Sequence, residues 1–106
     1  MQAKTIVDWV DRIRPNNLDL ADKLNFVGEI NTKVLIDIQH KEQSSLPMSE
    51  STELAAPCSF CGLYRWYVAA MVSAAAGNNE VYLCDMAVFR ESWNEYAAWY
   101  LREGRR

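Results

Sequence analysis

The sequence lacks a long hydrophobic run and a concentration of basic residues. No apolar run approaches the ~20 residues of a membrane-spanning helix, and the opening MQAKTIVDWV has charges but no long apolar core. We therefore predict no membrane span and no signal peptide, and we expect a cytosolic protein. Lys and Arg are scattered apart from the final REGRR, and the net charge is −3. This balance argues against a protein that grips DNA or an anionic membrane.

Metal-ligating side chains are also scarce, because the chain has one histidine, His40, and three cysteines, Cys58, Cys61 and Cys84. Cys58 and Cys61 form a C-x-x-C, a spacing found in zinc sites and in redox dithiols. A structural zinc would need all four residues, yet the second close pair of a strong zinc pattern is missing. A thioredoxin-like motif would need neighbouring strands, which the sequence does not suggest. We interpret the first two cysteines as packing residues at a helix start and Cys84 as a core residue, and we predict no metal and no cofactor.

The residues needed for catalysis are not arranged in a recognisable pattern either. His40 stands at the edge of a loop without an evident nucleophile, and no Gly-rich phosphate-binding loop is present. Asp85, Glu91 and Glu95 follow one predicted helix, where carboxylates are usually solvated. We predict that the protein is not an enzyme and has no catalytic residues.

Aromatic residues are abundant: the 106 residues include four Trp, five Tyr and three Phe. Half of the residues are hydrophobic and 24% are charged, which is ordinary for one globular domain. Twelve aromatic side chains exceed what so small a domain must bury by itself. We expect some of them in an interface between subunits, where Trp and Tyr are favoured.

Hydrophobic periodicity predicts an all-α fold, a small bundle of about four helices in a single domain over residues 1–106. Thr5 is the predicted N-cap of the first helix, Asp19 that of the second, and Gly77 the C′ residue of the third. The three-residue turn after helix three predicts an antiparallel hairpin. The predicted helices cover residues 5–14, 19–39, 59–76 and 79–102.

The long connection between helices two and three is the least ordinary feature. Its sequence, HKEQSSLPMSESTELAAP, is polar and without periodicity. Loops of this length are usually functional or disordered. We predict a flexible loop over residues 39–57 that becomes ordered against a neighbouring subunit.

The order of these features resembles the head–tail connector (adaptor) proteins of long-tailed bacteriophages and prophages. The stretches that carry the resemblance are IVDWVDRIRPN, ADKLNFVGEIN and APCSFCGLYRWYVAAMVSAAAGNNEVYLCDMAVFRESWNEYAAWYLREG. The last stretch is similar to a family pattern of the type PxPYxxLYxxY, then a helix, a short turn and (F/Y)NxxYxxFxxWYxR. The cysteine pair departs from this pattern, because the family often has a Pro-Tyr pair at that position. The residues that fit the last two blocks are Pro57, Leu63, Tyr64, Tyr67, Phe89, Trp93, Tyr96, Trp99, Tyr100 and Arg102.

The resemblance implies a structural role. Family members are short helical bundles that assemble into a ring, commonly twelve-fold, between the portal and a tail or stopper protein. DNA passes through the ring as cargo and is not read, so the protein would belong to the virion and, during assembly, to the cytoplasm of the host bacterium. We predict that Trp99, Tyr64 and Tyr67 contribute to the interface. The alternative is a small zinc- or thiol-dependent helical binding module built on the C-x-x-C.

Overall fold

The computed structural model describes residues 1–41 and 48–104 of the chain. Two of its four helices continue into a π-helical turn, Val34–Ile38 after the second and Tyr100–Gly104 after the fourth, and a 3-10 turn, Cys58–Phe60, precedes the third. The described residues contain no strand, so the predicted small all-α bundle is confirmed. The helices are α1 (Ala3–Ile13), α2 (Leu20–Lys33), α3 (Cys61–Ala75) and α4 (Asn79–Trp99).

Helix α3 is the centre of the bundle, because α1, α2 and α4 all pack against it. Eight of its 15 residues are buried. The core consists of aliphatic side chains from α1, α2 and α3, joined by Tyr64 and by Tyr96 of α4. Apart from alanines, the aliphatic residues without any exposed surface are Ile6, Val10, Val27, Ile30, Leu63 and Val68 of the three helices and Val34 of the π-helical turn after α2.

Helices α3 and α4 form the predicted antiparallel hairpin. Gly77 has φ +77°, a conformation that side chains with a Cβ rarely adopt, and the Asn78 side chain caps α4 by accepting a hydrogen bond from the Val81 N–H. The helices approach closely at Gly62, where an added Cβ would lie 3.2 Å from the Ser92 hydroxyl oxygen.

Helix α1 begins at Ala3, so the prediction of Thr5 as its N-cap is wrong. Its first amide groups are satisfied from a distant part of the chain. The Ala3 and Lys4 N–H groups donate to the carbonyl oxygens of Thr52 and Glu50, at 3.0 and 2.9 Å. A cap supplied by residues some fifty positions away leaves no local signal in the sequence.

Those carbonyl groups belong to residues 48–57, which we call the strap. Leu54 and Ala56 of the strap are buried in the core, and the Leu54 N–H donates to the Met1 carbonyl oxygen. The strap therefore packs against the helices of its own chain. Residues 42–47 lie outside the described residues, so the predicted flexibility of that part of the loop stays a prediction.

Two expectations for α2 need correction. Its end is a π-helical turn over Val34–Ile38 in place of a continuous α-helix to residue 39. Leu20 and Ile36 belong to the apolar residues whose three- and four-residue spacing predicts the buried face of this helix, but they are 41% and 44% exposed. The core includes Val27 and Ile30 but not these two residues. No helix of the described residues is long and apolar enough to cross a membrane.

Candidate interaction surfaces

Helix α4 leaves most of its surface uncovered. Of its 21 residues only Asp85 and Tyr96 are buried, and Leu83 and Val88 are among the most exposed large hydrophobic residues of the described chain, at 57% and 37%. Four of its five aromatic residues are half-buried, and the fifth, Tyr96, is buried. Two flanks of α3, one beside α4 and one beside α1, form the candidate interaction surfaces.

The first surface, which we call the groove surface, is a shallow groove between α2 and α4. Its floor is Tyr67 and Met71 of α3, and its wall is formed by α4. The rings of Tyr67 and Phe89 are 5.3 Å apart, and those of Phe89 and Trp93 are 5.8 Å apart. Charged and polar residues border the groove. Its apolar lining is Tyr67, Met71, Tyr82, Met86, Phe89 and Trp93, and its border is Lys33, Asp37, Arg90 and Asn94.

Tyr67 anchors the groove surface to α2. Its hydroxyl donates a hydrogen bond to the Glu29 carboxylate at 3.0 Å. Burial, and then the neighbouring carboxylate, raise the pKa of Tyr67 to about 12. The phenol therefore stays neutral over the physiological range, and its hydroxyl remains a donor.

The second surface, which we call the tryptophan surface, lies on the other flank, where α3 meets α1. The Trp9 and Trp66 rings meet edge to face with centroids 5.2 Å apart. The Arg65 guanidinium lies over the Trp9 ring at 5.0 Å, a cation–π geometry. All three side chains are partly exposed. The surface therefore combines flat aromatic area with a positive charge, a composition enriched at the centres of protein interfaces.

A smaller aromatic cluster, formed by Phe60, Tyr96 and Trp99, joins the start of α3 to the end of α4. Phe60 lies 4.9 Å from Tyr96 and 5.1 Å from Trp99, measured between ring centroids. Trp99 stacks on Tyr96 at 6.0 Å and remains partly exposed. One face of Trp99 is thus supported by the chain while the rest of the ring meets solvent.

The three predicted interface residues occupy different environments. Tyr64 has no exposed surface, and its hydroxyl donates to the Asn31 side-chain oxygen and accepts from the Ala56 N–H. Because the ring is buried and the hydroxyl is already hydrogen-bonded within the chain, Tyr64 cannot contact a partner, and we do not include it in the proposed interface. Tyr67 forms part of the groove surface although it is only 9% exposed. Trp99 is the most accessible of the three.

The residues that sequence reasoning missed are buried polar ones. Asp85 was expected on the solvated side of α4, but it is 2% exposed. It accepts hydrogen bonds from the Arg14 guanidinium at 2.8 and 3.3 Å and from the Ser73 hydroxyl at 3.3 Å. The ion pair joins the end of α1 to α4 across 71 residues. No local pattern distinguishes Asp85 from its exposed neighbours on the same helix.

The strap is fixed by a second buried polar cluster. The Asn31 side-chain oxygen accepts from the Ala55 N–H at 2.8 Å. The Gln39 amide donates to the Ala55 carbonyl oxygen and to the Tyr96 hydroxyl, at 3.1 and 2.8 Å. In the sequence, Asn31 is the polar member of a row of otherwise apolar residues at helical spacing, which are Leu24, Val27, Val34 and Ile38. This interruption is the one sequence signal of its role.

The cysteines and the histidine do not form a common site. Cys84 is exposed, which corrects its expected place in the core, because this side of α4 faces away from α3. Cys58 is exposed and Cys61 is half-buried. His40 is exposed beyond the end of α2, with φ +53°. Over residues 1–41 and 48–104, no group of three or more His, Cys, Asp or Glu side chains is placed to hold a metal ion.

Comparison of the chain with family models, with curated proteins and with solved structures finds no match.

Proposed function

We propose that the protein is a ring-forming structural subunit, the head–tail connector (adaptor) of a long-tailed phage or prophage. Its partners are further copies of itself, a portal protein on one side and a tail or stopper protein on the other. The ring, commonly twelve-fold in the family that the sequence resembles, surrounds DNA that passes through it. The resemblance supplies the biological setting, and the arrangement of aromatic surfaces supplies the physical support.

The observation that carries the proposal is that two unlike aromatic surfaces lie on different flanks of α3. A closed ring requires a head-to-tail contact, in which each subunit offers two different patches. The groove surface is concave and lies beside α2, whereas the tryptophan surface carries Arg65 and lies beside α1. Such a pair fits a head-to-tail contact better than a two-fold symmetric one, in which the same patch meets itself.

The size of the subunit explains why assembly would depend on a platform. A ring contact of standard size buries about 1,200–2,000 Å² in total, and contacts of that area range from micromolar to much tighter affinity. A portal adds a second attachment and raises the effective concentration of neighbouring subunits. We therefore expect monomers in dilute solution and a closed ring on the portal.

Electron microscopy tests the proposal directly. The purified protein is mixed with a purified portal protein from the same phage or prophage, and the expected result is an added ring of density on one face of the portal. The protein alone, at the same concentration, is the control and should remain monomeric in light scattering. Portal particles that gain no density at saturating protein would overturn the proposal.

Two variants test whether the two surfaces meet each other. Met86→Glu blocks the groove surface and Trp9→Glu blocks the tryptophan surface, and each should prevent ring formation. Mixed together, the two variants should form pairs and nothing larger, because each keeps one intact surface. Ala87→Glu adds the same charge at an exposed position beside Met86 and serves as the matched control. If the mixture stays monomeric under conditions in which the unmodified protein assembles, the two surfaces do not form the contact.

A further inference from the structure

We propose that Cys58 and Cys61 form a reversible thiol–disulfide site that exchanges with small-molecule disulfides such as oxidised glutathione. The backbone between them supports this proposal. The Cys61 N–H donates to the Cys58 carbonyl oxygen, which closes a 3-10 turn. In such a turn, residues three apart stand above one another on the same side, about 6 Å apart at 2.0 Å of rise per residue. A disulfide needs Cα atoms about 4.4–6.8 Å apart, so the backbone of this turn holds the two cysteines within the range that a bridge requires.

The two thiols differ in solvent exposure, and this difference determines which of them reacts first with a small disulfide. Cys58 follows Pro57, which is extended, and it is exposed at the first position of the turn, whereas Cys61 is half-buried at the start of α3. The exposed thiol is the one that a small disulfide can reach.

The exchange follows from this arrangement in two steps. The Cys58 thiolate attacks one sulfur atom of the small disulfide, forms a mixed disulfide and releases one small thiol. The Cys61 thiolate then attacks the Cys58 sulfur, closes the internal bridge and releases the second small thiol. The protein loses two electrons and two protons, and the two released thiols carry them. An excess of small thiol reverses both steps.

The test uses the full chain with Cys84→Ser, which removes the exposed third thiol without touching the pair. The protein is equilibrated in glutathione buffers of rising oxidised fraction, quenched with acid, alkylated and weighed by intact mass spectrometry. The expected result is the loss of both alkylatable thiols in one step, with no retained glutathione. Adding Cys61→Ser should trap a single glutathione on Cys58, and adding Cys58→Ser should give slower trapping on Cys61.

A matched measurement in urea isolates the contribution of the turn. The glutathione ratio that half-oxidises the pair is determined for the folded chain and for the chain unfolded in urea. We expect the bridge to form at an oxidised-to-reduced ratio at least about tenfold lower in the folded chain, since the turn holds the thiols together. An equal or higher ratio would overturn the proposal, as would two retained glutathiones per chain or two persistent free thiols. The experiment needs no portal, so its failure is separate from a failure of the connector assignment.

Discussion

The two helices of the α3–α4 hairpin differ in burial. Both contain aromatic and aliphatic residues, yet α3 buries eight of 15 side chains and α4 buries two of 21. Helix α3 has a single charged residue whereas α4 has five, and the two helices also differ in the number of neighbours. Helix α3 is contacted by α1, α2 and α4, whereas α4 packs mainly against α3. The aromatic residues of α3 are mostly used inside the chain, and most of those of α4 remain available for a partner.

This contrast separates two kinds of polar residue as well. Asp85 and Asn31 are buried beside α3, and their hydrogen bonds hold distant segments of the chain together. Polar residues on the outer side of α4, such as Glu91 and Glu95, are exposed. Substitutions near α3 should therefore change the stability of the monomer, and substitutions on the open flanks of α4 should change its assembly.

The largest expected effect is that of Asp85→Ala. It removes a buried carboxylate and leaves the Arg14 guanidinium and the Ser73 hydroxyl without their partner. Breaking a buried ion pair typically costs ~3–5 kcal/mol, and because the Arg14 side chain is 31% exposed and partly solvated, we expect about 2–3 kcal/mol. Urea unfolding measures the loss. Glu91→Ala, an exposed carboxylate on the same helix, should change the free energy of unfolding by less than about 0.5 kcal/mol. Equal effects for the two variants would contradict the distinction.

The next effect is that of Tyr64→Phe, which keeps the ring and removes the hydroxyl. The Ala56 N–H loses its acceptor, and a buried unpaired amide costs about 1–3 kcal/mol. We also expect faster amide exchange over the described part of the strap, residues 48–57. Tyr82→Phe is the matched control, since Tyr82 is half-exposed in the groove surface. A strap that exchanges at the unmodified rate in Tyr64→Phe would show that the hydroxyl does not anchor it.

The contacts of Asp85 and Tyr64 show which features of the fold a single sequence can predict and which it cannot. The helices, the turn at Gly77 and the apolar faces around Val27 and Val68 follow from local rules of periodicity and capping. The strap, the cap of α1 and the Arg14–Asp85 ion pair depend on contacts between residues far apart in the chain, about which a single sequence is silent. The candidate surfaces could be predicted only in part. The sequence shows that aromatic residues are abundant, but which of them are buried and which are exposed depends on the helices that pack against them.

For Trp99→Ala we expect a loss of monomer stability comparable to that of Tyr64→Phe, together with a loss of assembly, because the sequence predicts that Trp99 contributes to the interface in addition to the groove and tryptophan surfaces. The ring contacts Phe60 and Tyr96, and an aromatic pair contributes about 0.5–1.5 kcal/mol beyond its area burial. The variant should therefore remain folded by circular dichroism and fail to form a ring on the portal. Trp99→Phe keeps an aromatic ring and should assemble more readily than the alanine variant. An unfolded Trp99→Ala chain would place Trp99 in the core, and normal ring formation by the folded variant would remove it from the interface.

The smallest effect at neutral pH is expected for Tyr67→Phe, because the carboxylate it loses, Glu29, is exposed and can turn to water. We expect the free energy of unfolding to change by less than about 1 kcal/mol.

The difference in stability between the unmodified chain and Tyr67→Phe should nevertheless depend on pH. An unfolded tyrosine has a pKa near 10, while burial and Glu29 raise the pKa of Tyr67 to about 12 in the folded chain. An acid whose pKa is raised by folding favours the folded state while it stays protonated, so the contribution of Tyr67 is complete below about pH 10 and is lost as the pH rises towards 12. Burial also raises the pKa values of Tyr64 and Tyr96, but both are present in the two chains and cancel in the difference. Urea midpoints measured for both chains across this range should therefore converge or cross as the pH rises, with the tyrosinate absorbance recorded in parallel. A difference that stays constant to the top of the range would mean that Tyr67 titrates alike in the folded and unfolded chains, and that the floor of the groove surface is open to water.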